Sequence, residues 1–202
     1  MRHRFRVGII TGIPGVGKTT VLEIVKKKAE ERGLRLLVAN YGTYMVNTAI
    51  KEGIAKDRDM LRHLKLRDQL ELQRMAAENI IRDAEDKLGD NGFLLVDTHS
   101  VVKTSVGYWP GLPRHVVDVF KPDIIILLEA DPELIHQRQV KDSSRKRGDI
   151  GGPESIRELI YFARYAAMAS AVFYASAVAP VENPEGNPES AANRIVELLE
   201  NI

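Results

Sequence analysis

The sequence predicts an α/β fold in which helices cover both faces of a five-stranded parallel sheet. Five short apolar runs alternate with longer segments of helical spacing along the 202 residues. A parallel sheet is buried on both faces, so its strands are continuous apolar runs rather than alternating ones. A chain of this length can bury one well-packed core, and we expect a single domain over residues 1–202 with three layers, α/β/α.

Each predicted strand is a run of mostly aliphatic residues bounded by glycine, proline or polar residues. The first run reads VGIIT and the third reads FLLVD. Short apolar runs of this kind, bounded by turn residues, are typical of buried strands. The five predicted strands lie at residues 7–11, 34–40, 93–97, 124–129 and 178–181.

The segments between these strands have helical spacing and recognisable end signals. Val21, Leu22 and Val25 share one face of the first helix, and Gly33 follows its predicted end. Asp131 and Pro132 are typical N-cap and first-turn residues of a later helix. The predicted helices lie at residues 19–33, 57–88, 131–142, 153–177 and 188–201.

Two segments interrupt the alternation of strands and helices. Residues 98–122 are rich in glycine and proline, and residues 140–153 are polar and basic and contain glycine. In open α/β sheets, ligands bind beyond the carboxyl ends of the strands, where loops of this kind lie. We therefore expect both segments to border a ligand site.

Charge and composition narrow the classes of function. The 29 Lys and Arg residues nearly balance the 28 Asp and Glu residues, which gives no large field for nucleic acid or an acidic membrane. The absence of cysteine excludes disulfides, thiolate metal sites and a cysteine nucleophile. No apolar segment suits a signal sequence or approaches the roughly 20 residues of a membrane span. We expect a cytoplasmic protein that binds neither nucleic acid nor membrane.

The segment GIPGVGKTT matches the pattern G-x-x-x-x-G-K-[ST] in full, between a predicted strand and a predicted helix. Its glycines let backbone N–H groups converge on phosphate oxygens, and the helix directs its positive end at the same anion. Lys18 would reach the outer phosphates, and the Thr19 hydroxyl would ligate Mg²⁺. We expect these residues to hold nucleotide phosphates: Gly12, Ile13, Pro14, Gly15, Val16, Gly17, Lys18, Thr19 and Thr20.

Aspartate residues after the strands are the candidates for supporting the metal ion. Asp97 ends the third predicted strand and is the best of them, since a carboxylate there commonly supports Mg²⁺ through water. The alternative is that Asp97 is only a turn residue at the end of a strand. We interpret Asp123 and Asp131 as structural residues, in a turn and at a helix cap.

A basic segment follows the fourth predicted strand and its helix. A kinase that transfers phosphate between two charged nucleotides must neutralise dense negative charge and exclude water. Several arginines on a mobile loop can do both. We predict such a lid at residues 138–157, and a solvated basic loop is the alternative. The basic residues that would serve the lid are Arg138, Arg145, Lys146, Arg147 and Arg157, with glycine at 148, 151 and 152.

The phosphate loop near residue 12, the basic segment with RKRGD and IRELI, and the length of the chain together resemble a nucleoside monophosphate kinase. NYGTYMVNTAI and DTHSVVKTSVGYWPGLP resemble the archaeal type of adenylate kinase, and the resemblance covers the whole chain. It implies a P-loop fold with a five-stranded parallel sheet and a short arginine-rich lid. It also implies reversible phosphoryl transfer from Mg·ATP to AMP, giving two ADP.

The resemblance implies roles for individual residues. Lys18, Arg138, Arg147 and Arg157 would be catalytic, and Arg145 competes with Arg147 for one role. No general base is needed, because the AMP phosphate is already anionic at neutral pH. We interpret His99, beside Asp97, as a turn or packing residue rather than as part of a catalytic dyad.

The AMP-binding region would lie at about residues 40–75. Bacterial adenylate kinases carry Gly-Phe-Pro-Arg after the third strand, and here Asp-Thr-His stands in its place. Lys103 is the nearest basic substitute, and an exposed loop lysine is an equal alternative. The residues implied for AMP are Tyr41, Gly42, Met45, Arg67 and Lys103.

The resemblance further implies a homotrimer. The segment YFARYAAMASAVFYASA has apolar residues on more than one helical face, so part of it should be core and a surplus face would suit subunit packing.

Two other functions stay open at this point. A kinase for another monophosphate, such as UMP or CMP, differs only in a few hydrogen bonds to the base. A P-loop ATPase switch that acts with nucleic acid should have a larger basic surface than this balanced chain provides. A guanine-specific switch would carry Asn-Lys-x-Asp, which the chain lacks.

Overall fold

A computed structural model describes residues 2–61, 64–104, 107–141 and 151–202, with the side chains of residues 58, 59 and 104 left aside. Its centre is a parallel sheet of five strands in the order β2-β3-β1-β6-β7, and β4 and β5 form a separate antiparallel hairpin. The α/β class and the five-stranded parallel sheet predicted from the sequence are confirmed. The strands are β1 Arg6–Thr11, β2 Leu36–Asn40, β3 Phe93–Asp97, β4 Val101–Thr104, β5 Gly107–Pro110, β6 Ile124–Glu129 and β7 Ala177–Glu182.

Helices connect these strands and cover the sheet. One of them begins at the cap that the sequence predicts: Asp131 Oδ1 accepts hydrogen bonds from the N–H groups of Glu133 and Leu134, at 3.0 and 3.2 Å. None of the helices among the described residues has the length and apolar character to cross a membrane. The helices are α1 Lys18–Glu31, α2 Tyr41–Lys51, α3 Arg58–Leu61, α4 Leu66–Leu88, α5 Arg114–Phe120, α6 Pro132–Lys141, α7 Pro153–Ala171 and α8 Pro188–Glu200, and a 3₁₀ turn follows α7 at Val172–Tyr174.

The order of the strands brings three carboxyl ends together at one edge of the sheet. β1 lies between β3 and β6, and β3 lies between β1 and β2. The register pairs Ile10 with Asp97 and Asn40 with Asp97, so the last residues of β2 and β3 lie level with the end of β1. The segments that follow these strands therefore start next to one another.

Alternate residues of the strands point into two separate cores. Ile10, Leu95 and Ile126 pack under α1 and α8, while Ile9, Leu94 and Ile125 pack under α4 and α5. Helices thus cover both faces, as a parallel sheet requires. α7 contributes to both cores: its first half belongs to the α1 and α8 side and its second half to the α4 and α5 side.

The prediction of one long helix at residues 57–88 is wrong in its extent. The structure has a single turn, α3, and a separate helix, α4, that begins at Leu66. Lys65 has an extended backbone with ψ 149°, which interrupts the helical hydrogen bonds. The interruption lets Leu61 and Leu64 pack beside Leu72, so burial of leucine outweighs the helical pattern.

Three elements are absent from the prediction. The first is α2, which begins directly after β2 because the side chain of Asn40 caps it, accepting a hydrogen bond from Thr43 N at 2.9 Å. The other two, the β4–β5 hairpin and α5, lie in the glycine- and proline-rich segment at residues 98–122. Elements of four to seven residues are too short to display a clear period.

We expect the Leu94→Ala variant to lower the free energy of unfolding by about 2–5 kcal/mol, because Leu94 is fully buried and its truncation leaves a cavity. Chemical denaturation monitored by circular dichroism measures the change. The matched control is Leu66→Ala at the exposed start of α4, where we expect a change within about 0.5 kcal/mol. Equal losses in the two variants would contradict the assigned core.

Candidate active site

The loop between β1 and α1 has the backbone of an anion-binding turn. Gly15 and Gly17 have φ of 93° and 91°, a left-handed region that residues with a Cβ rarely adopt. A Cβ at Gly12 would lie 2.8 Å from the carbonyl oxygen of Leu128, so the loop also passes close to β6. Glycine at these positions is therefore a requirement of the turn.

Lys18, the first residue of α1, points back across the end of β3. Its Nζ lies 2.5 Å from Asp97 Oδ1 and donates a hydrogen bond to the carbonyl oxygen of Thr98 at 2.7 Å. The two charged side chains are only 12% and 15% exposed. Burial lowers the pKa of Lys18, and the charge of Asp97 and its hydrogen bond oppose that effect. The pair places a buried cation at the mouth of the loop.

Asp97 is held by one side chain from the neighbouring strand β2 and by one from α1. Its Oδ2 accepts a hydrogen bond from Asn40 Nδ2 at 2.7 Å, and its Oδ1 faces Lys18. The Asn40 Oδ1 accepts from both the N–H and the hydroxyl of Thr43, at 2.9 and 3.0 Å. Asn40 therefore connects the start of α2 to the carboxylate at the end of β3.

The start of α1 supplies the rest of an anion site. The N–H groups of the first turn of a helix have no partner within the helix and carry its positive dipole end. Thr19, in this first turn, is exposed beside the loop. The hydroxyl of Thr19 and the carboxylate of Asp97 are hard oxygen donors, the kind that Mg²⁺ prefers. No group of three or more His, Cys, Asp or Glu side chains suited to a metal occurs among the described residues.

Four side chains from distant segments hold the carbonyl groups of the loop. His99 Nδ1 lies 3.0 Å from Gly12 O, Gln139 Nε2 donates to Pro14 O at 2.5 Å, and Asn183 Nδ2 donates to Val16 O at 2.8 Å. A carbonyl only accepts, so His99 must carry its proton on Nδ1. Arg138 adds a second hydrogen bond to Val16 O, at 3.2 Å.

Gln139 and Asn183 are the residues that sequence reasoning missed. Gln139 directly follows Arg138 near the end of α6. Asn183 comes shortly after the fifth predicted strand, which is the shortest of the five. The one available signal was that Asn183 comes directly after β7, whose carboxyl end lies at the same edge of the sheet.

Two of the predicted lid arginines lie near the loop or the same edge of the sheet. Arg138 touches the loop through Val16. Arg157, in the first turn of α7, forms ion pairs with Glu154 and with Glu133 of α6, the latter at 3.5 Å. Arg145, Lys146 and Arg147 lie outside the described residues.

The orientation of α7 is fixed at the end of β6. Arg164 forms a bidentate pair with Glu129, with distances of 2.7 and 2.6 Å, and hydrogen bonding to Glu129 raises the pKa of Arg164. Arg157 precedes Arg164 by two helical turns, about 10 Å along one side of the helix. Arg157 therefore projects from the side of α7 that faces the carboxyl edge of the sheet.

Lys103 lines a cavity beside the loop. The cavity has a volume of about 250 Å³, and Pro14, His99, Tyr108 and Gln139 also line it. Lys103 is exposed in β4, so the hairpin carries a cation to the neighbourhood of the phosphate loop. Of the residues implied for AMP, Lys103 is thus the one that the described contacts bring near the loop.

The remaining residues implied for AMP lie on α2 and α4. Tyr41 is buried, with its ring against Phe120 and its hydroxyl donating to Gln73 O at 2.7 Å, and burial raises its pKa. Gly42 and Met45 are half-buried on α2, and Arg67 is exposed in the first turn of α4. The described contacts give Tyr41 a packing role and do not join Arg67 to the loop.

Comparison with known proteins places these features in a family. A family model described as an AAA domain matches residues 11–157. Adenylate kinase from Saccharolobus solfataricus is 52% identical over 194 residues, 96% of this chain and 99% of the relative. Adenylate kinase from Thermoplasma volcanium is 41% identical over 191 residues, 95% and 98% of the two chains. Adenylate kinase from Methanopyrus kandleri is 40% identical over 194 residues, 96% and 97%.

Truncation of Asn40 tests its two contacts, the cap of α2 and the hydrogen bond to Asp97. We expect Asn40→Ala to lower the free energy of unfolding by about 2 kcal/mol, because it removes a helix cap and a hydrogen bond to a charged group. Asn187→Ala is the matched control, since Asn187 caps α8 through Ser190 N at 3.3 Å and its side chain has no such carboxylate partner among the described residues. Urea denaturation compares the two, and an equal loss would contradict the role of Asn40 at Asp97.

Proposed function

The chain belongs to the adenylate kinase family, and from that premise we propose that it catalyses reversible phosphoryl transfer from Mg·ATP to AMP, giving two ADP. The observation that carries the proposal is the phosphate loop with Lys18 and Asp97 paired at its mouth, 2.5 Å apart. The contact of Arg138, on α6, with the same loop and the family relationship support transfer rather than simple binding of the phosphate.

The proposed mechanism is positioning and charge stabilisation. The backbone N–H groups at residues 12–20 would bind the ATP phosphates, and Lys18 would leave Asp97 to reach the outer phosphate oxygens. Phosphoryl transfer between two nucleotides needs little covalent chemistry from the protein, since the AMP phosphate is already an anionic nucleophile. The contribution of the enzyme is then to align the two phosphates and to neutralise the charge that develops between them.

We propose that Thr19 and Asp97 support the magnesium ion that accompanies ATP. Their oxygen donors fit Mg²⁺, and a carboxylate at the end of β3 can bind through water while Thr19 contacts the ion directly. When bound there, the ion would supply charge neutralisation for the phosphates of ATP. Movement of Lys18 from Asp97 to the phosphates would free the carboxylate for this role.

Arg138, Arg157 and Arg147 are our proposed stabilisers of the transferring group, and Arg145 is the alternative to Arg147. The contact of Arg138 with Val16 and the side of α7 that carries Arg157 both support this proposal. Guanidinium groups suit it because they bind phosphate oxygens in pairs. Residues 138–157 would be the lid of one domain that spans residues 1–202.

AMP would bind between residues 40–75 and the β4–β5 hairpin, with Gly42, Met45 and Arg67 on one side and Lys103 on the other. The cavity beside Pro14 supports Lys103. Tyr41 would act by packing under α2, since its hydroxyl bonds to Gln73 O. The cytoplasmic location predicted from the sequence belongs to the same proposal.

The experiment that tests the function compares acceptors. The protein is incubated with ATP, Mg²⁺ and one of AMP, UMP or CMP, and nucleotides are separated by chromatography. We expect ADP to form from ATP and AMP, with much slower turnover of UMP and CMP. Absence of ADP would overturn the proposal. Faster turnover of UMP or CMP than of AMP would show that one of these, and not AMP, is the acceptor.

Removal of the lysine charge should abolish most of the turnover. We expect Lys18→Ala to lower kcat/KM by at least about a hundredfold, because the charge is needed where negative charge develops in the transition state. The matched control is Lys27→Ala, an exposed lysine on the same helix that should retain normal activity. Near-normal turnover of a folded Lys18→Ala variant would refute the role of Lys18.

We further propose that copies of the chain associate through an exposed apolar face of α7. One side of α7 is buried in the two cores, and the other side carries large apolar residues at helical spacing. Tyr165, on α7, is 68% exposed, and Val172, in the turn after α7, is 77% exposed. The homotrimer implied by the resemblance would cover this face, which consists of Tyr161, Phe162, Tyr165, Met168, Val172 and Phe173.

A charge on this face should disrupt the assembly. We expect Tyr165→Asp to shift the sedimentation coefficient to that of a monomer, because an unpaired carboxylate cannot be buried without a large desolvation cost. Ile50→Asp, at an exposed apolar position on α2, is the control and should sediment as the wild type does. A monomeric wild-type protein at micromolar concentration would contradict the proposed association.

A further inference from the structure

The phosphate loop is fixed from outside through its carbonyl groups. Gly12, Pro14 and Val16 alternate along the loop, and each of their carbonyl oxygens lies at hydrogen-bond distance from a side chain of another segment. Those side chains are His99 after β3, Gln139 on α6 and Asn183 after β7. We call these three residues the carbonyl anchors.

The geometry of the peptide unit makes this pattern informative. In a trans peptide, the C=O of one residue and the N–H of the next residue point in opposite directions. A carbonyl held outward at Gly12, Pro14 or Val16 therefore directs the N–H of the following residue inward. Those N–H groups belong to Ile13, Gly15 and Gly17, and none of them donates a hydrogen bond within the part of the chain that the structure describes.

The glycines of the loop fit closely against two of the anchors. A Cβ at Gly15 would lie 2.9 Å from Gln139 Cγ, and a Cβ at Gly17 would lie 2.6 Å from Asn183 Nδ2. Any side chain at these positions would displace the anchors as well as strain the backbone. The anchors thus depend on the glycines of the loop as much as the loop depends on the anchors.

The burial of Gln139 and Asn183 argues against a role in stability alone. Gln139 and Asn183 are 8% and 3% exposed. The Asn183 Oδ1 is buried with no hydrogen-bond partner among the described residues, which costs free energy that an apolar side chain of the same size would avoid. An amide at position 183 is therefore costly to the fold, and its Nδ2 is used on the loop.

We propose that Gln139 and Asn183 are positioning residues for ATP, which hold the carbonyls of Pro14 and Val16 outward so that the N–H groups of residues 15 and 17 face the phosphates. The inference rests on the proposed function, in which this loop binds ATP. An outward carbonyl matters twice, because a carbonyl turned inward would both remove a donor and repel the anion. Asn183 does not line the cavity that Lys103 lines, so AMP should not depend on Asn183, whereas Gln139 lines that cavity as well.

The test replaces each anchor by an apolar residue of similar size. Gln139→Met and Asn183→Leu keep the volume and remove the donor. The control is Ser170→Ala, which also removes a buried hydrogen bond to a backbone carbonyl, that of Leu112 at 2.9 Å, but beside the core rather than the loop. The binding probe is inorganic tripolyphosphate, measured by calorimetry, and steady-state kinetics give KM for ATP and for AMP separately.

We expect the Kd for tripolyphosphate and the KM for ATP to rise at least about tenfold in each anchor variant, with the KM for AMP unchanged in Asn183→Leu. Ser170→Ala should lower the melting temperature and leave both constants as in the wild type. A folded anchor variant with wild-type Kd and KM overturns the inference, and each variant decides it alone if the other does not fold. Failure of the wild type to bind tripolyphosphate would overturn the proposed function instead.

Discussion

The ion pair between Lys18 and Asp97 is the interaction on which the arrangement of the site depends. Its two partners come from α1 and β3, which are far apart in sequence and are brought within 2.5 Å by the pairing of β1 with β3. A buried charge is tolerated only when it is paired, and Asp97 also accepts a hydrogen bond from Asn40 at the end of β2. Asp97 thereby connects the carboxyl ends of β2 and β3 to α1, the helix that follows β1. A phosphate that binds Lys18 must compete with a carboxylate already in place, so binding exchanges one anionic partner for another rather than burying a free charge.

The loop itself is rigid for a different reason. The left-handed φ of Gly15 and Gly17 defines the turn, but these angles alone do not determine which way each peptide unit faces. The carbonyl groups of Gly12, Pro14 and Val16 reach side chains on three separate segments, and this fixes the direction of the peptides between them. The loop is thus supported by residues up to 167 positions away in the sequence, through the bond from Asn183 to Val16.

The sequence predicted the elements whose signals are local and missed those that depend on contacts. β3 and β6 were predicted with their bounds as the structure has them, because continuous aliphatic runs have few other interpretations. The loop was predicted because its pattern combines the needs of the backbone and the ligand in eight consecutive residues. Asn183 could not be found in this way, since nothing in a polar turn after a weak strand indicates that its amide reaches Val16. The break before α4 was missed because it depends on burial of Leu61 and Leu64 against Leu72, which the helical spacing of the segment does not reveal.

α7 carries both the proposed lid residue Arg157 and the apolar face proposed for association. Its first turn carries Arg157 on the side of the helix that faces the carboxyl edge of the sheet, and its second half has one side in the core and the other exposed. The bidentate pair of Arg164 with Glu129 lies between these two parts and fixes the helix to the end of β6. A helix held at its middle by a bidentate pair, and packed along its length into both cores, cannot rotate at one end without disturbing the other. Association through its exposed side would therefore add rigidity to the same element that carries Arg157 on the side facing the carboxyl edge of the sheet, without any contact between the two surfaces themselves.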